Sequence, residues 1–280
     1  LALYLASDFY SAFMWLMVSI GVFLATFFDF ILENYDASLS RTEQVSIPVL
    51  AILSILVLFS RNLFSLTLTW PILSAITFIL LSASRKNVHE RAQSAQSLAT
   101  VWFVADLLFL VFCVGISEIN KPNTFDELYS QKENISSFLK FILVLSLFLK
   151  CFQIPTLALS RSLTRNGAFG WRILILGLLP LASATIFRLI CLISSSPFMD
   201  FLISLQCLGL VWCAYYSWGE KKEAGSMGWI IQYYLGCGVF SALLGNVMAS
   251  QLFFIGSVSS FFLIGNGGLL AKHSEFDWKL

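Results

Sequence analysis

The chain has 280 residues, of which 58% are hydrophobic and 12% charged, with a formal net charge of +1. That charged fraction is about half of the roughly 25% usual for soluble domains, and with a mean hydropathy of +0.82 it excludes a water-soluble globular protein. A net charge this close to zero leaves no electrostatic footprint for nucleic acid, and no stretch shows the dyad alternation of an outer-membrane barrel. At about 20 apolar residues per crossing, the length admits roughly eight to ten helices and no separate globular domain. Residues 1–280 therefore read as one all-α, polytopic membrane domain, with a transmembrane core over 11–271 and a tail over 272–280.

Apolar runs bounded by Pro, Gly, Asn and charge clusters predict nine spans in chain order: 11–32, 47–60, 63–83, 97–117, 137–152, 172–194, 199–217, 228–247 and 249–271. Only Arg61 and Asn62 separate the second from the third. A single helix over 47–83 would be roughly 55 Å long at about 1.5 Å per residue, too long for one bilayer, so two spans are expected. After the fifth span the sequence turns irregular: Gln153 and Pro155 follow Lys150, and a polar stretch from Ser160 to Gly170 reads as a broken helix entering a loop.

The basic residues set the expected orientation. If odd-numbered spans exit on one side, that side collects Arg41, Arg85, Lys86, Arg91, Arg161, Arg165, Arg172, Lys221, Lys222, Lys272 and Lys279, 11 of the 17 basic residues. The other side holds Arg61, Lys121 and Lys132. By the positive-inside rule the first side is cytoplasmic, which places the N-terminus outside and the C-terminal tail in the cytoplasm.

Lys140, Lys150 and Arg188 fall within or at the ends of spans, as do Asp29, Asp106 and Asp200. An ionised group at a helix centre costs about 2.5–3.5 kcal/mol on insertion scales, so each needs an explanation. Lys140 and Arg188 lie close enough to span ends to snorkel. Asp29 and Glu33, one turn apart, suit a solvated interfacial face. Lys150 has two open readings, snorkelling towards the cytoplasmic end or lining an ion path at a broken helix. Asp106, inside the run from Trp102 to Phe112, needs a partner, water or a proton, and serves equally well as a structural partner or a proton carrier.

The six cysteines (Cys113, Cys151, Cys191, Cys207, Cys213, Cys237) are scattered singly through apolar runs and read as buried thiols. His89 and His273 sit in hydrophilic stretches, so no metal or other cofactor is expected. No G-x-G-x-x-G and no iron–sulfur cysteine spacing is present, so nicotinamide or quinone chemistry in this chain is not expected either. The chain begins at Leu1, with no initiator Met and no basic n-region before its apolar sequence; a signal peptide is not expected, and a piece of a longer chain is.

Several motifs taken in order resemble a known family. Asn62-Leu63-Phe64, Trp70 eight residues after the Asn, a basic loop from Arg85 to Arg91 and Asp106 in the next span resemble the antiporter-like membrane subunits of proton-pumping NADH:quinone oxidoreductase (NADH dehydrogenase subunit 5-like) and the homologous Mrp-type cation/proton antiporter subunits. Lys150-Cys-Phe-Gln153-Ile-Pro155 is similar to that family's K-x-x-Q-x-P on its discontinuous helix. Met227-Gly228-Trp229 and Phe240-Ser241-Ala242-Leu243 resemble the segment after its K-R-x-L-A-Y-S motif.

The resemblance implies two inverted five-helix repeats, each with a broken helix bearing a Lys, the second repeat here stopping short. It also implies a bacterial inner membrane, translocation through Lys150 with Asp106 as a neighbouring charge, and other hydrophobic subunits as partners. The family's acid after Trp is Pro71 here, which is expected to leave Lys150 without its usual carboxylate. Other relay positions fall on Leu174 or Ile175, Asn246, Ser250 and Phe254. One branch of the family, the membrane component of a two-component inorganic-carbon-accumulating system, also lacks that acid. Its partner is a soluble zinc protein related to carbonic anhydrase. Three functions are thus expected alternatives: a translocating subunit, that inorganic-carbon component, or a non-conducting structural subunit whose relay has decayed. An unrelated carrier or receptor with chance motif matches is a further alternative.

Overall fold

A computed structural model describes residues 41–60, 62–83, 88–119, 124–165, 198–220 and 223–245, with single positions elsewhere. The expected spans 11–32, 172–194 and 249–271 lie almost wholly outside the described residues, as do Asp29, Glu33, Arg188 and the relay positions Leu174, Ile175, Asn246, Ser250 and Phe254.

Among the described residues every regular element is a helix: α1 (Arg41–Phe59), α2 (Leu63–Ala83), α3 (Val88–Ile119), α4 (Phe125–Ser130), α5 (Ser137–Lys150), α6 (Ala158–Arg165), α7 (Met199–Gly219) and α8 (Glu223–Leu243). Three stretches are long and apolar enough to cross a bilayer, Leu63–Ser82, Gln93–Glu118 and Met199–Gly219, and Pro48–Phe59 is a shorter apolar helix. The described residues are thus all-helical, with three candidate membrane-spanning helices.

The break between the second and third expected spans has a local cause. Asn62 Oδ1 accepts from the Ser65 amide at 2.7 Å and caps α2, so a new helix starts there and folds back on α1. Within α2, Pro71 removes one backbone donor, yet the helix continues for 12 more residues. Thr67, Thr69, Ser74 and Thr77 donate their hydroxyls to carbonyls one turn back, so polar groups inside an apolar helix are satisfied locally.

Helix α3 shows both faces of a membrane helix. Leu98, Trp102, Ala105, Phe109, Phe112 and Ile116 repeat at three to four residues and are buried. Phe103, Leu107, Leu110, Val111 and Val114 are exposed on the opposite side, the pattern expected where the outer solvent is lipid. Because lipid tails give helices no hydrophobic reason to associate, close approach depends on small residues. Gly115 fills that role, since a Cβ there would lie 2.7 Å from Leu139 of α5. On α7, exposed Trp212, Tyr215 and Trp218 gather near the C-terminal end, as side chains with an apolar body and a polar edge do at a bilayer boundary.

Several expectations are corrected. Helix α3 starts at Val88, nine residues before the expected 97, because nothing between 88 and 97 breaks a helix where it leaves the apolar window. Helix α8 starts at Glu223 and ends at Leu243, where Gly245 takes a φ of 75°. Part of the stretch expected as a loop is helix α6, whose Leu163 is buried while Arg161 pairs with Glu220. Lys140 does not snorkel, since it is buried. Cys207 is exposed on α7, whereas Cys113, Cys151, Cys213 and Cys237 are buried. Asp200 is exposed in the first turn of α7, where the helix dipole favours a carboxylate.

Candidate functional site

Helix α5 ends because its last turn closes on itself. The Gln153 amide donates to Phe148 O at 2.8 Å and the Phe152 amide to Leu149 O at 3.3 Å. With Phe152 at a φ of 53°, this is a Schellman-type C-terminus in which a bulky residue takes the place usually held by Gly. The chain then turns through Ile154-Pro155, a cis peptide, and restarts as α6.

The carbonyls freed by this break are met by the side-chain amides of Gln232 on α8 and of Gln153 itself, whose Nε2 donates to Cys151 O at 2.9 Å. Gln232 Nε2 donates to Cys151 O at 3.1 Å and to Phe152 O at 2.8 Å. Gln206 Nε2 donates to Gln153 Oε1 at 2.7 Å and to Gly236 O at 3.0 Å. All three glutamines are buried. Irregular backbone at membrane depth survives only where protein supplies such partners; Gln232 and Gln153 supply them here, and Gln206 holds the Gln153 side chain in place.

Lys150, the last residue of α5, is fully buried. Its Nζ donates to Asp106 Oδ1 at 2.5 Å and to the Ser74 hydroxyl. Its ammonium also lies 4.6 Å from the centre of the Trp102 ring and 5.3 Å from that of Trp70. Two neighbouring helices thus contribute the same pair of parts, an indole and an oxygen acceptor one turn later: Trp70 and Ser74 from α2, Trp102 and Asp106 from α3. The indoles are held in turn, Trp70 stacked on Phe109 at 4.3 Å and Trp102 on Phe152 at 5.9 Å. Ser146, one turn before Lys150, donates to Ala105 O at 2.8 Å and ties α5 to α3 beside Asp106.

Depth in the membrane follows from position along the spans. Asp106 lies thirteen residues from Gln93 and twelve from Glu118, the ends of its apolar stretch. At about 1.5 Å per residue that is roughly 18–20 Å from either end. The ion pair therefore lies near the middle of the apolar stretch of α3, although Lys150 is the last residue of α5.

The expectation that Pro71 leaves Lys150 without a carboxylate is likewise corrected. The acid comes from the adjacent helix, where the Trp102-to-Asp106 spacing brings it under the ammonium. Of the motif residues, Asn62 is a helix cap, Trp70 faces the ammonium, Gln153 joins the amide cluster and Pro155 stands in the break. Ser74, Trp102, Gln206 and Gln232 are missed by the sequence reading. The first two carry a legible signal, an indole followed four residues later by an oxygen side chain on consecutive spans. The glutamines have no such spacing.

No protein-family model matches the chain, and no curated protein matches it. Among the described residues, the fold and the site define an all-helical protein with three candidate membrane-spanning helices and a buried ammonium–carboxylate pair at a helix break.

Proposed function

We propose that the chain is a proton- or cation-translocating membrane subunit of a larger assembly of the NADH:quinone oxidoreductase and Mrp-antiporter type. The supporting observation is the Lys150–Asp106 pair at mid-depth of a membrane-spanning helix, at the end of a broken one. Intramembrane ionisable groups are costly and mark ion and proton paths, and transporters place their sites at discontinuous helices near the midplane. A proton reaching Asp106 neutralises the carboxylate and releases the ammonium from its counter-ion. Loss of that proton restores the pair, so the site has two charge states joined by one transfer. The orientation that fits has residue 1 outside and the C-terminal tail in the cytoplasm of a bacterial inner membrane, with other hydrophobic subunits as partners. Proton flux into vesicles containing the wild type or Lys150→Ala tests the proposal: flux should fall in the variant, and equal fluxes overturn it.

A second reading draws on Pro71, Leu174, Ser250 and Phe254, apolar or non-titrating residues at positions where the family carries its relay. In it the chain is a non-conducting structural subunit, or the membrane component of an inorganic-carbon system whose zinc protein is a separate chain. Normal assembly and undiminished activity of a complex carrying Lys150→Ala would favour it.

A further inference from the structure

The Lys150 ammonium is walled by aromatic rings as well as by oxygen. A ring face attracts a cation within about 6 Å of its centre, and Lys150 Nζ lies 4.6 Å from the Trp102 ring centre and 5.3 Å from that of Trp70. An ammonium has three N–H donors; among the described residues its oxygen acceptors are Asp106 Oδ1 and the Ser74 hydroxyl. That hydroxyl donates its own proton to Trp70 O at 3.1 Å, so its oxygen can accept from Lys150 whatever the charge on Asp106. Each indole is held by a ring from another element: Trp70 of α2 stacks on Phe109 of α3, and Trp102 of α3 on Phe152 beyond the end of α5.

The polar edge of each indole, by contrast, is unsatisfied. Trp70 and Trp102 are both fully buried, yet neither indole N–H has a hydrogen-bond partner among the described residues. A buried donor left unpaired costs free energy, and such a group in a native protein needs a reason. Phe would pack here as an apolar ring without that cost. What indole offers over phenyl is the stronger attraction of its face for a cation, and both unsatisfied indoles lie against the same cation.

We propose that Trp70 and Trp102, together with the Ser74 hydroxyl, are positioning residues that hold the Lys150 side chain in place as a cation while Asp106 is protonated. The inference rests on the ion-path reading of Lys150 and names the groups that keep the lysine in the state where its carboxylate is neutral. With the proton on a carboxylate oxygen of Asp106, the ammonium keeps its own three protons. The two arms of the site then become alike, each an indole followed one turn later by a hydroxyl-bearing side chain, on α2 and on α3. The negative face of an aromatic ring is a fixed quadrupole, so it attracts the cation without competing with Asp106 for the transferred proton. Away from water that attraction lies towards the upper end of its range.

Fluorinated tryptophans test this, because each ring fluorine weakens the negative face while leaving the shape of the indole nearly unchanged. The unpaired N–H gives fluorine no hydrogen bond through which to act instead. Tryptophan carrying one, two or four fluorines replaces Trp102 or, separately, Trp70 in the full chain. Equilibrium unfolding in mixed micelles is then measured in the wild type, in Lys150→Met and in Asp106→Asn, the last a neutral stand-in for the protonated carboxylate. In the wild type, four fluorines should shift the unfolding equilibrium by about tenfold or more, in steps that follow fluorine number. The shift should be steeper for Trp102, whose ring centre is nearer, and larger again in Asp106→Asn. It should be absent in Lys150→Met, where only packing is left to respond. The proposal is overturned if the Lys150→Met series is as steep as the wild-type one, since the effect is then packing. It is also overturned if the Asp106→Asn series is flat, since the lysine then gives up its charge once the carboxylate is neutral. Where Asp106→Asn does not fold, Asp106→Ser takes its place under the same criteria. A graded series with flux indifferent to Lys150→Ala overturns the ion path and leaves the indoles holding the lysine. A flat series with flux that falls in Lys150→Ala overturns the holding role alone.

Discussion

Replacing Asp106 tests the centre of the site most directly. Lys150 is fully buried and Asp106 nearly so, its side chain 13% exposed. Removing one partner of a buried ion pair costs about 3–5 kcal/mol, because the other charge is left uncompensated. For Asp106→Leu the remaining groups are the Ser74 hydroxyl and the faces of Trp70 and Trp102, which the wild type already uses, so the full penalty applies: about 4 kcal/mol, roughly a 10³-fold shift in the unfolding equilibrium. Asp106→Asn keeps an acceptor oxygen and should retain one hydrogen bond, worth about 1.5–3 kcal/mol when the donor is charged, so its loss should be roughly half as large. Removing both charges in Asp106→Leu/Lys150→Met should return stability to near the wild type, since a buried pair and an apolar pair of similar volume are often equivalent. The assay is equilibrium unfolding of the purified protein in mixed micelles, with the four proteins of the double-mutant cycle measured together. A loss below about 1 kcal/mol for Asp106→Leu would place the carboxylate in water, on the scale of an exposed pair. A double variant no more stable than the worse single one would refute the coupling.

Two further outcomes follow from the contacts around the break. Gln232→Leu leaves Phe152 O without its side-chain donor, while Cys151 O keeps the Gln153 Nε2 donor at 2.9 Å. At about 1–3 kcal/mol for one buried group left unpaired, the expected loss is about 1–3 kcal/mol in the same unfolding assay, and a neutral variant would mean that water already reaches the Phe152 carbonyl. Gly236→Ala would place a Cβ 2.9 Å from Leu210 and 3.0 Å from Gln206 Nε2, the amide that bridges the break. Overpacking of this kind costs about 1–3 kcal/mol. Gly115→Ala meets only the flexible end of Leu139 at 2.7 Å and should cost less, so a thermal-shift comparison giving the reverse order would refute the assignment of Gly236 to the amide cluster.

Composition alone pointed to a membrane protein, because apolar surface on this scale favours lipid as its solvent, and three helices of the described residues are long and apolar enough to cross a bilayer. The position of the α1–α2 boundary was legible too, since Asn62 caps a helix through a local hydrogen bond that depends on neighbouring residues only. So was the break after Lys150, where Gln153 and Pro155 interrupt an apolar run. The site was legible in part: Lys150 and Asp106 stand out as charges that lipid penalises, and that penalty requires a partner without naming it. Sequence could not show that each is the other's partner, because 44 residues separate them. Their contact depends on how α2, α3 and α5 turn their faces towards one another, which sets the indoles of Trp70 and Trp102 and the hydroxyl of Ser74 around one ammonium. The same holds for Gln206 and Gln232. An apolar helix gives no periodic sign of which of its polar residues will meet a broken backbone, and only packing at the break decides where those amides are needed.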